Sequence, residues 1–428
     1  MSIEDFRLLI VSNNCLSYAN SNGRTLLNLV SSFPDEKIAN FYIHDEVPDN
    51  NHFSNFYRVT DQEAYQAFKG RGPVGGCVAM KTKDSQIIHK GDAKNGKSRK
   101  NPLFSLAREL VWKSGAWKAN DFASWLDAFN PQAILLQGGD APFLFALARK
   151  IAAKRKIPLV IYNSEDYFFK KYNYMENRYR IFYPIFHNKL VKEMRKAIRS
   201  SSLCLYNSDE LMKQYTASIP HRAEVIMTSA SFSPKDVLSN SHKNAFHISY
   251  LGNLSVGRQT SLIEIANVLV EHRLVLDVYG LASDEVRKEL EKIPAIKYHG
   301  FVSYERVKEI MLASRLLVHA ESFGEYAIKD LKHAFSTKIA DSLASGVPFF
   351  IYAPKELTET QYLMKLIPQF VATNKEELQN KLRAFLAGQS VYLSSENIKS
   401  IIDQNHSLAN NQAKFKRLLT DIIDNRKE

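Results

Sequence analysis

Short runs of apolar residues alternate along the first half of the chain with stretches whose apolar positions recur every three or four residues. The short runs predict β-strands, and the amphipathic stretches, such as 142–154, predict α-helices. Predicted strands in this half cover 7–12, 38–43, 133–138, 159–164, 203–208 and 224–229. Continuous apolar strands separated by helices are typical of a parallel sheet that helices cover on both faces.

The segment 229–246 interrupts this pattern, because it is rich in Ser, Asn and Pro and lacks apolar periodicity. The alternation then restarts, with strands predicted at 247–252, 274–279, 296–301, 316–320, 348–353 and 369–373 and helices such as 259–272 and 302–313. The pattern predicts two doubly wound α/β domains in series, over 1–240 and 241–404. A C-terminal helix within 405–428 follows and is a candidate for packing back on the N-terminal domain.

Length and composition narrow the class of protein. A chain of 428 residues predicts two or three domains. No uninterrupted apolar run approaches the roughly 18–20 residues of a membrane-spanning helix. The start, MSIEDFRLLIVSNN, lacks the basic segment and cleavage site of a signal peptide. Cys15, Cys77 and Cys204 are too widely spaced for a disulfide framework or a metal-binding pattern. We therefore expect a cytoplasmic protein.

The formal charge of +12 predicts an anionic partner: a nucleic acid, an anionic membrane face or a phosphorylated substrate. The segment 81–100 holds seven Lys and Arg residues against two Asp, and the segment 167–186 holds nine aromatic residues with four basic ones. A solvated loop and an aromatic core helix are the ordinary interpretations. The alternative is peripheral contact with an anionic membrane, where aromatic rings and cations are both stable. We find no nucleic-acid recognition motif and expect no such partner.

Two loops of the C-terminal domain place a cation at a predicted helix start. In the first, YLGNLSVGRQTSLIEIA, Gly252 and Gly257 allow the backbone to approach a ligand closely, and Arg258 offers a forked donor for phosphate. In doubly wound sheets, ligands bind at the carboxyl ends of the strands, where such loops lie. A solvated arginine on an ordinary helix is the alternative for this loop taken alone.

The second loop is FSTKIADSLASGVPFFIYA. Ser336 and Thr337 can cap the helix that follows, and Lys338 adds a full positive charge. Two cationic helix starts in one domain favour a diphosphate over a single carboxylate. Asp341 lies one helical turn beyond Lys338 and would repel phosphate, so it should face a hydroxyl-bearing group such as ribose. A simple salt bridge between Lys338 and Asp341 is the alternative.

The region 247–350 resembles glycosyltransferase family 4. The resemblance is carried by ISYLGNLSVGR, LDVYG, IKYHGFVSYERVKEIMLASRLLVHA and STKIADSLASGVPFF, in this order. The family consists of retaining, nucleotide-sugar-dependent enzymes and includes bacterial capsule and exopolysaccharide glycosyltransferases. The resemblance implies the GT-B fold, in which two Rossmann-like domains face each other across a cleft. It is specific over this region and diffuse over the residues before it.

Several donor contacts are implied by the resemblance. The family's basic pair for the donor diphosphate matches Asn253 and Arg258, with Asn253 standing where arginine is usual. The turn that borders the nucleotide base matches Gly300 and Phe301.

The family's two glutamates flank the sugar and the ribose. Asp341 matches the second, and counting back eight residues gives His333 rather than Glu. The sugar-facing acid is therefore absent, replaced by His333 or a neighbour, or supplied from the loop 321–335, which contains Glu321, Glu325 and Asp330.

The N-terminal domain supplies the acceptor side in this family. NSNGRTLLNLV resembles the family's glycine-containing loop, so Asn22, Gly23 and Arg24 are candidates for contact with acceptor or donor phosphate. Glu165 and Asp166 follow a predicted strand and are the carboxylates best placed to orient an acceptor hydroxyl. An ordinary strand–helix turn and a helix cap are the respective alternatives.

The chemistry follows from the substrates. Cleavage of a sugar–diphosphate bond builds negative charge on the leaving phosphate, which Arg258, Lys338 and the helix starts would stabilise. The family's leaving phosphate is thought to help deprotonate the acceptor, so no protein base is assigned. We find no Asp-x-Asp pair and no His/Cys cluster, and expect neither metal nor other cofactor. GRGPVG at 70–75 fits a dinucleotide pattern, but Pro73 and the lack of a preceding strand argue against it.

The sequence thus predicts a metal-independent hexosyltransferase. Its substrates would be a nucleotide-sugar donor and a glycan or lipid-linked acceptor in cell-surface polysaccharide biosynthesis, with peripheral contact at the inner face of the membrane. A nucleotide-sugar epimerase of the same fold is an alternative, although it needs carboxylates near the donor sugar. A non-catalytic sugar- or nucleotide-binding protein is another.

Overall fold

The computed structural model describes residues 6–72, 74–79, 101–118, 120–171, 181–231 and 247–424. The chain forms two compact units: a first unit of Met1–Met227 with Asn411–Glu428, and a second unit of Thr228–Asn410. Most of the predicted linker 229–246 and all of the basic segment 81–100 lie outside the described residues, as do 172–180 within the aromatic segment. The domain limits derived from the sequence stay a prediction.

The first unit is built on an eight-stranded sheet in the order β4-β3-β2-β1-β5-β6-β7-β8. Its neighbouring strands are parallel, except for β3 with β4. The strands are β1 Leu8–Ser12, β2 Ile38–Tyr42, β3 Phe56–Arg58, β4 Gly76–Cys77, β5 Ala133–Gln137, β6 Leu159–Asn163, β7 Leu203–Tyr206 and β8 Ala223–Val225. The sequence pattern did not predict β3 and β4, because runs of two or three residues are too short to show a period.

Helices cover both faces of this sheet, which explains the continuous apolar strands. Leu9 and Val11 of β1 belong to one apolar core, and Leu8 and Ile10 belong to another. Successive strand residues point to opposite faces, so both faces must be apolar. The helices are α1 Ser21–Val30, α2 Asp61–Phe68, α3 Pro102–Ser114, α4 Asn120–Phe129, α5 Pro142–Arg155, α6 Tyr183–Ser200 and α7 Asp209–Ser218.

The second unit contains a six-stranded parallel sheet in the order β11-β10-β9-β12-β13-β14. Its strands are β9 His247–Leu251, β10 Leu276–Tyr279, β11 Ile296–Gly300, β12 Ser314–Ala320, β13 Phe349–Tyr352 and β14 Val371–Ala372. Its helices are α8 Arg258–Val270, α9 Asp284–Leu290, α10 Tyr304–Ala313, α11 Glu325–Leu331, α12 Thr337–Ala344, α13 Thr358–Leu366, α14 Lys375–Leu386 and α15 Ser395–Ile401. The predicted α/β architecture is confirmed.

The last helix, α16 Leu408–Asp424, packs within the first unit. Phe415, Leu418, Leu419 and Ile422 join the core on the Leu8 side of the sheet. The side chain of Gln412 also donates to the backbone carbonyl of Asn28 at 2.7 Å. Among the helices of the described residues, none is long and apolar enough to cross a membrane.

Candidate functional site

The two cationic helix starts lie at the carboxyl edge of the second sheet. β9 leads into the loop before α8, and β12 ends beside it, because the two strands are parallel neighbours. Gly257 caps α8 with a φ of +82°, a left-handed conformation that favours glycine. A Cβ atom there would also lie 3.0 Å from the hydroxyl of Ser322. The glycine therefore brings the α8 start close to the end of β12.

Arg258 is fixed by a buried carboxylate. Its Nε donates to Oε2 of Glu321 at 2.7 Å, and its Nη1 donates to the carbonyl of Asn253 at 3.2 Å. The Glu321 side chain is 3% exposed and that of Arg258 is 16% exposed. The guanidinium thus has its orientation set before any ligand arrives.

Glu321 is the first of three buried ionisable residues that connect the two helix starts. His319 Nε2 lies 3.6 Å from Oε1 of Glu321 and 2.8 Å from Oε1 of Glu359. The other Glu359 oxygen accepts the backbone N–H of Ser336 at 2.9 Å. A continuous polar chain therefore runs from Arg258, at the start of α8, to Ser336, at the start of α12. We call Arg258, Glu321, His319 and Glu359 the buried charge network.

The pKa values of the network's two carboxyl groups are shifted in opposite directions, because their charged neighbours differ. Burial raises the pKa of Glu321, repulsion from Glu359 adds to it, and Arg258 and His319 oppose it. Burial also opposes ionisation of Glu359, but His319, the Ser336 N–H and Arg258 outweigh it and lower its pKa. Ionised Glu359 accepts hydrogen bonds, so His319 donates to it from Nε2.

The second helix start has the predicted cap. Ser336 is the N-cap of α12, and its Oγ accepts the N–H of Lys338 at 3.4 Å. Thr337 and Lys338 form the first two positions of the helix, and both are partly exposed. The start of α12 thus places the Lys338 cation at a helix N-terminus, the end of a helix that favours anions.

Asp341 lies in the same helix, and its side chain is buried. Its two oxygens accept the N–H of Ser231 at 2.7 Å and the hydroxyl of Tyr304 at 3.2 Å. Asp341 therefore ties the start of the second unit to α12. Its ribose contact stays a prediction.

The residues predicted beside the nucleotide base lie at the same edge. Gly300 ends β11 with a φ of +77°, and Phe301 follows with 60% of its surface exposed. The neighbouring His299 donates from Nε2 to Oδ1 of Asp277 at 2.6 Å and stacks on Tyr279 with ring centroids 4.4 Å apart. An exposed ring on a fixed turn suits stacking on a base, and this contact stays a prediction.

Gly252 and Asn253 occupy the loop after β9. A Cβ atom on Gly252 would meet the hydroxyl of Tyr250 at 2.6 Å, and the carbonyl of Asn253 accepts that same hydroxyl at 3.0 Å. Gly280, which the sequence analysis did not single out, has its ideal Cβ position 1.7 Å from the Gly252 carbonyl. Glycine at 280 therefore lets the loops after β9 and β10 touch.

The structure separates the candidates for the sugar-facing acid, which the sequence alone could not identify. Glu321 contacts Arg258, whereas Glu325 is exposed on α11 and pairs with Lys329. His333 is half-buried between α11 and α12. Of the two glutamates, the geometry places Glu321 with the first cationic helix start. The sequence already contained a signal for the position of Glu321, because this residue immediately follows the predicted strand 316–320.

The acceptor-side candidates of the first unit lie in two loops. Asn22, Gly23 and Arg24 form the first turn of α1, and the N–H of Gly23 donates to Oδ1 of Asn20 at 2.6 Å. A Cβ on Gly23 would approach the Cys15 carbonyl to 2.2 Å, so glycine is needed for packing at this turn. Arg24 is largely buried. Contact with acceptor stays a prediction for this loop.

Glu165 and Asp166 follow β6, as predicted. Asp166 is buried and accepts the N–H of Phe169 at 2.9 Å and the hydroxyl of Tyr215 at 3.4 Å. Glu165 is partly exposed and accepts the Tyr167 hydroxyl at 2.8 Å. Asp166 therefore stabilises its own turn, and Glu165 is the more accessible carboxylate.

Sequence reasoning missed Glu46, which lies beyond β2 at the carboxyl edge of the first sheet. Its carboxylate accepts from Asn14 at 2.7 Å, Asn20 at 3.2 Å and the Cys15 N–H at 3.2 Å. Burial opposes ionisation of Glu46, but His44, Asn14 and the Cys15 N–H outweigh it and lower the pKa of Glu46. An ionised carboxylate thus organises the loop before α1. No motif marks it in the sequence.

The network also has the composition of a metal site. Ligand atoms of His319, Glu321 and Glu359 lie within 4.8 Å of one another. The carboxylates already accept from Arg258, His319 and Ser336, so the guanidinium supplies the positive charge that a metal would bring. The absence of a metal requirement stays a prediction, and within the described part of the chain this cluster is the candidate metal site.

A pocket of about 490 Å³ opens beside the start of α8 in the second unit. Its lining includes Gly257, Thr260, Ser322 and Gly324, and Phe323 packs on Tyr352 with ring centroids 4.7 Å apart. The pocket therefore adjoins the residues that position Arg258.

No protein-family model and no curated protein matches the chain. Solved structures match over nearly its whole length. HepE from Anabaena, crystallised with UDP and glucose, has a TM-score of 0.58 at 12% identity, covering 97% of this chain and 99% of HepE. Sucrose-phosphate synthase from Thermosynechococcus elongatus has a TM-score of 0.59 at 12% identity, covering 98% and 100%. The trehalose-phosphate synthase of Burkholderia xenovorans has a TM-score of 0.55 at 12% identity, covering 98% and 100%. The predicted GT-B fold is confirmed.

Proposed function

We propose that this GT-B protein is a glycosyltransferase that uses a nucleotide-sugar donor. The observation that carries the proposal is the pair of cationic helix starts, at Arg258 and Lys338, joined by the buried charge network. Positive charge and oriented N–H groups at one sheet edge suit a diphosphate leaving group. HepE was crystallised with UDP-glucose, so uridine donors are the first to test.

The finer features of the proposal rest on the resemblance to family 4. We propose retention of configuration, a glycan or lipid-linked acceptor, and a role in cell-surface polysaccharide biosynthesis at the cytoplasmic face of a membrane. Arg258 and Lys338 would stabilise the charge on the departing diphosphate. Phe301 would border the base, and Asp341 and His333 would face the ribose and sugar sides. Glu165 or Asp166 would orient the acceptor hydroxyl.

A panel of nucleotide sugars tests the donor. A donor that binds the folded state raises the melting temperature in proportion to the logarithm of its concentration over Kd. We expect one uridine donor to give the largest shift and Lys338→Ala to abolish most of it, with Lys399→Ala as the matched exposed-lysine control. If no nucleotide sugar or nucleoside diphosphate shifts the wild type, the proposal fails.

Product analysis separates transfer from epimerisation. A transferase releases nucleoside diphosphate in proportion to glycosylated acceptor, whereas an epimerase converts the donor without an acceptor. We expect diphosphate release that depends on acceptor. Donor conversion without acceptor would instead support the epimerase.

A further inference from the structure

Helix α3 turns apolar side chains outward. Its exposed positions over the first turns are Leu103, Phe104, Ala107 and Leu110, and Leu110 is 61% exposed. The helix's acid, Glu109, is instead 1% exposed. A helix on the surface of a globular protein normally has the opposite arrangement, with its polar stripe toward water. This outward apolar stripe therefore needs a partner.

Helix α6 and the residue positions just before it also expose apolar side chains, and the helix exposes basic side chains as well. Ile181, just before the helix, and Ile185, in its first turn, are 76% and 52% exposed. Farther along the same helix, the exposed side chains include Lys192, Lys196 and Arg199. Over 102–114 and 181–200, all of which are described, no carboxylate is exposed, because Glu109 and Glu193 are both buried.

The two helices present these side chains on one side of the first unit. Helices α3 and α6 contact each other. Trp112 of α3 and Phe186 and Leu190 of α6 enter the same apolar core, on the Leu9 face of the sheet. Side chains opposite this core therefore point away from the sheet on both helices. We define the apolar-basic face as Leu103, Phe104, Leu110, Ile181, Ile185, Lys192, Lys196 and Arg199.

The composition of the face favours a lipid surface. Apolar side chains that neighbour cations suit the boundary between acyl chains and anionic headgroups, and each cation contributes to binding. Protein interfaces, in contrast, are depleted in lysine. The net charge of +12 adds long-range attraction to an anionic bilayer.

We propose that the apolar-basic face docks the protein peripherally on an anionic lipid bilayer. The apolar side chains would enter the headgroup region, and Lys192, Lys196 and Arg199 would contact lipid phosphates. Vesicle binding requires neither donor nor acceptor, so this proposal stands or falls separately from the proposed transfer reaction.

Co-sedimentation of the full chain with large unilamellar vesicles tests the proposal. We expect binding to phosphatidylcholine vesicles that contain phosphatidylglycerol, weak binding to phosphatidylcholine alone, and partial loss in high salt. The apolar variant Leu110→Ser/Ile185→Ser and the charge variant Lys192→Gln/Arg199→Gln should each lower the partition coefficient by about tenfold or more. All four side chains are exposed, so the fold should survive, and circular dichroism checks this.

Matched variants in the second unit distinguish a specific role of the apolar-basic face from a general effect of net charge or exposed apolar surface. Leu281→Ser/Val391→Ser removes two exposed apolar side chains, and Lys288→Gln/Lys399→Gln removes two exposed cations. We expect both to bind vesicles as the wild type does. Equal losses in the test and control variants, equal binding to neutral vesicles, or no sedimentation of the wild type would each overturn the proposal. The last result would direct attention to a protein partner.

Discussion

The position of Arg258 depends on the buried carboxylate of Glu321. The carboxylate fixes the guanidinium and balances its charge in a buried setting, while Glu359 repels Glu321 from the other side. Removing one partner of a buried pair leaves an uncompensated charge, which costs more than the pair contributes. The residues of the buried charge network should therefore behave as one unit under mutation.

Arg258→Ala should lower the free energy of unfolding by about 3–5 kcal/mol, because Glu321 would remain beside Glu359 without its counter-charge. The double variant Arg258→Ala/Glu321→Gln should cost less than the two single changes added together. Urea unfolding measures all three. Arg383→Ala, which breaks an exposed pair with Glu271 in the same unit, should change little. Strict additivity would contradict the coupling.

Among the secondary-structure elements, helix α12 has its first turn stabilised by a hydrogen-bond acceptor from another helix. Oε2 of Glu359, from α13, accepts the Ser336 N–H, while Oε1 accepts from His319. A carboxylate at a helix N-terminus also interacts favourably with the helix dipole. The start of α12, and with it Lys338, is thus placed by a neighbouring helix.

Glu359→Gln should destabilise the second unit by about 1–3 kcal/mol. The new side-chain NH₂ group would face either the Ser336 N–H or the His319 Nε2–H, and that donor would lose its hydrogen-bond acceptor. Nucleotide affinity should fall as well if the α12 start holds the diphosphate. Chemical unfolding and calorimetric titration with UDP measure the two effects. Glu376→Gln, in the exposed first turn of α14, is the control. Unchanged stability would show that Glu359 does not hold the helix start.

At the scale of the whole molecule, a buried histidine couples stability to pH. His406 donates from Nδ1 to the Thr228 carbonyl at 2.8 Å, and its Nε2 accepts from the Tyr362 hydroxyl at 2.9 Å. Burial lowers the pKa of His406 from 6.5 to about 4, although the Thr228 bond opposes the shift. The neutral His406 ring therefore links the segment before α16 to Thr228, the first residue of the second unit.

Stability should fall as the pH drops from about 6.5 to about 4, because the unfolded chain binds a proton that folded His406 does not. Complete loss of the His406 contribution lowers the free energy of unfolding by about 3 kcal/mol. Above this pH window the contribution does not change with pH. Urea unfolding at a series of pH values measures the slope. His406→Asn keeps a donor for Thr228 but does not titrate, so its slope should be shallower. Identical slopes would contradict the assignment.

An assay of the proposed sugar transfer, carried out with the full chain, tests the metal prediction. If the guanidinium of Arg258 supplies the positive charge at the network, sugar transfer should be unchanged by EDTA and unaffected by added Mg²⁺ or Mn²⁺. Transfer rates measured after chelation and dialysis provide the test. Loss of activity that a divalent ion restores in the wild type, but not in His319→Ala, would instead show that the network binds metal.

The architecture of both units can be predicted from the pattern of apolar residues. Strands buried on both faces are apolar at most positions, and the helices between them are amphipathic, so the alternation is visible without coordinates. The cap at Ser336 and the glycine at 257 were also predictable, since each acts on residues within one or two turns of itself. The short strands Phe56–Arg58 and Gly76–Cys77 were not, because they carry no measurable period.

The surroundings of these elements depend on contacts between residues far apart in the sequence, and those contacts could not be predicted. Arg258 and Glu321 are 63 residues apart and meet because β9 and β12 are adjacent, and His319 meets Glu359 across 40 residues. Likewise, the apolar positions of α3 have the spacing of a core helix. Packing alone shows that Leu110 faces outward while Glu109 is buried, because hydrophobic periodicity defines a stripe but not its direction.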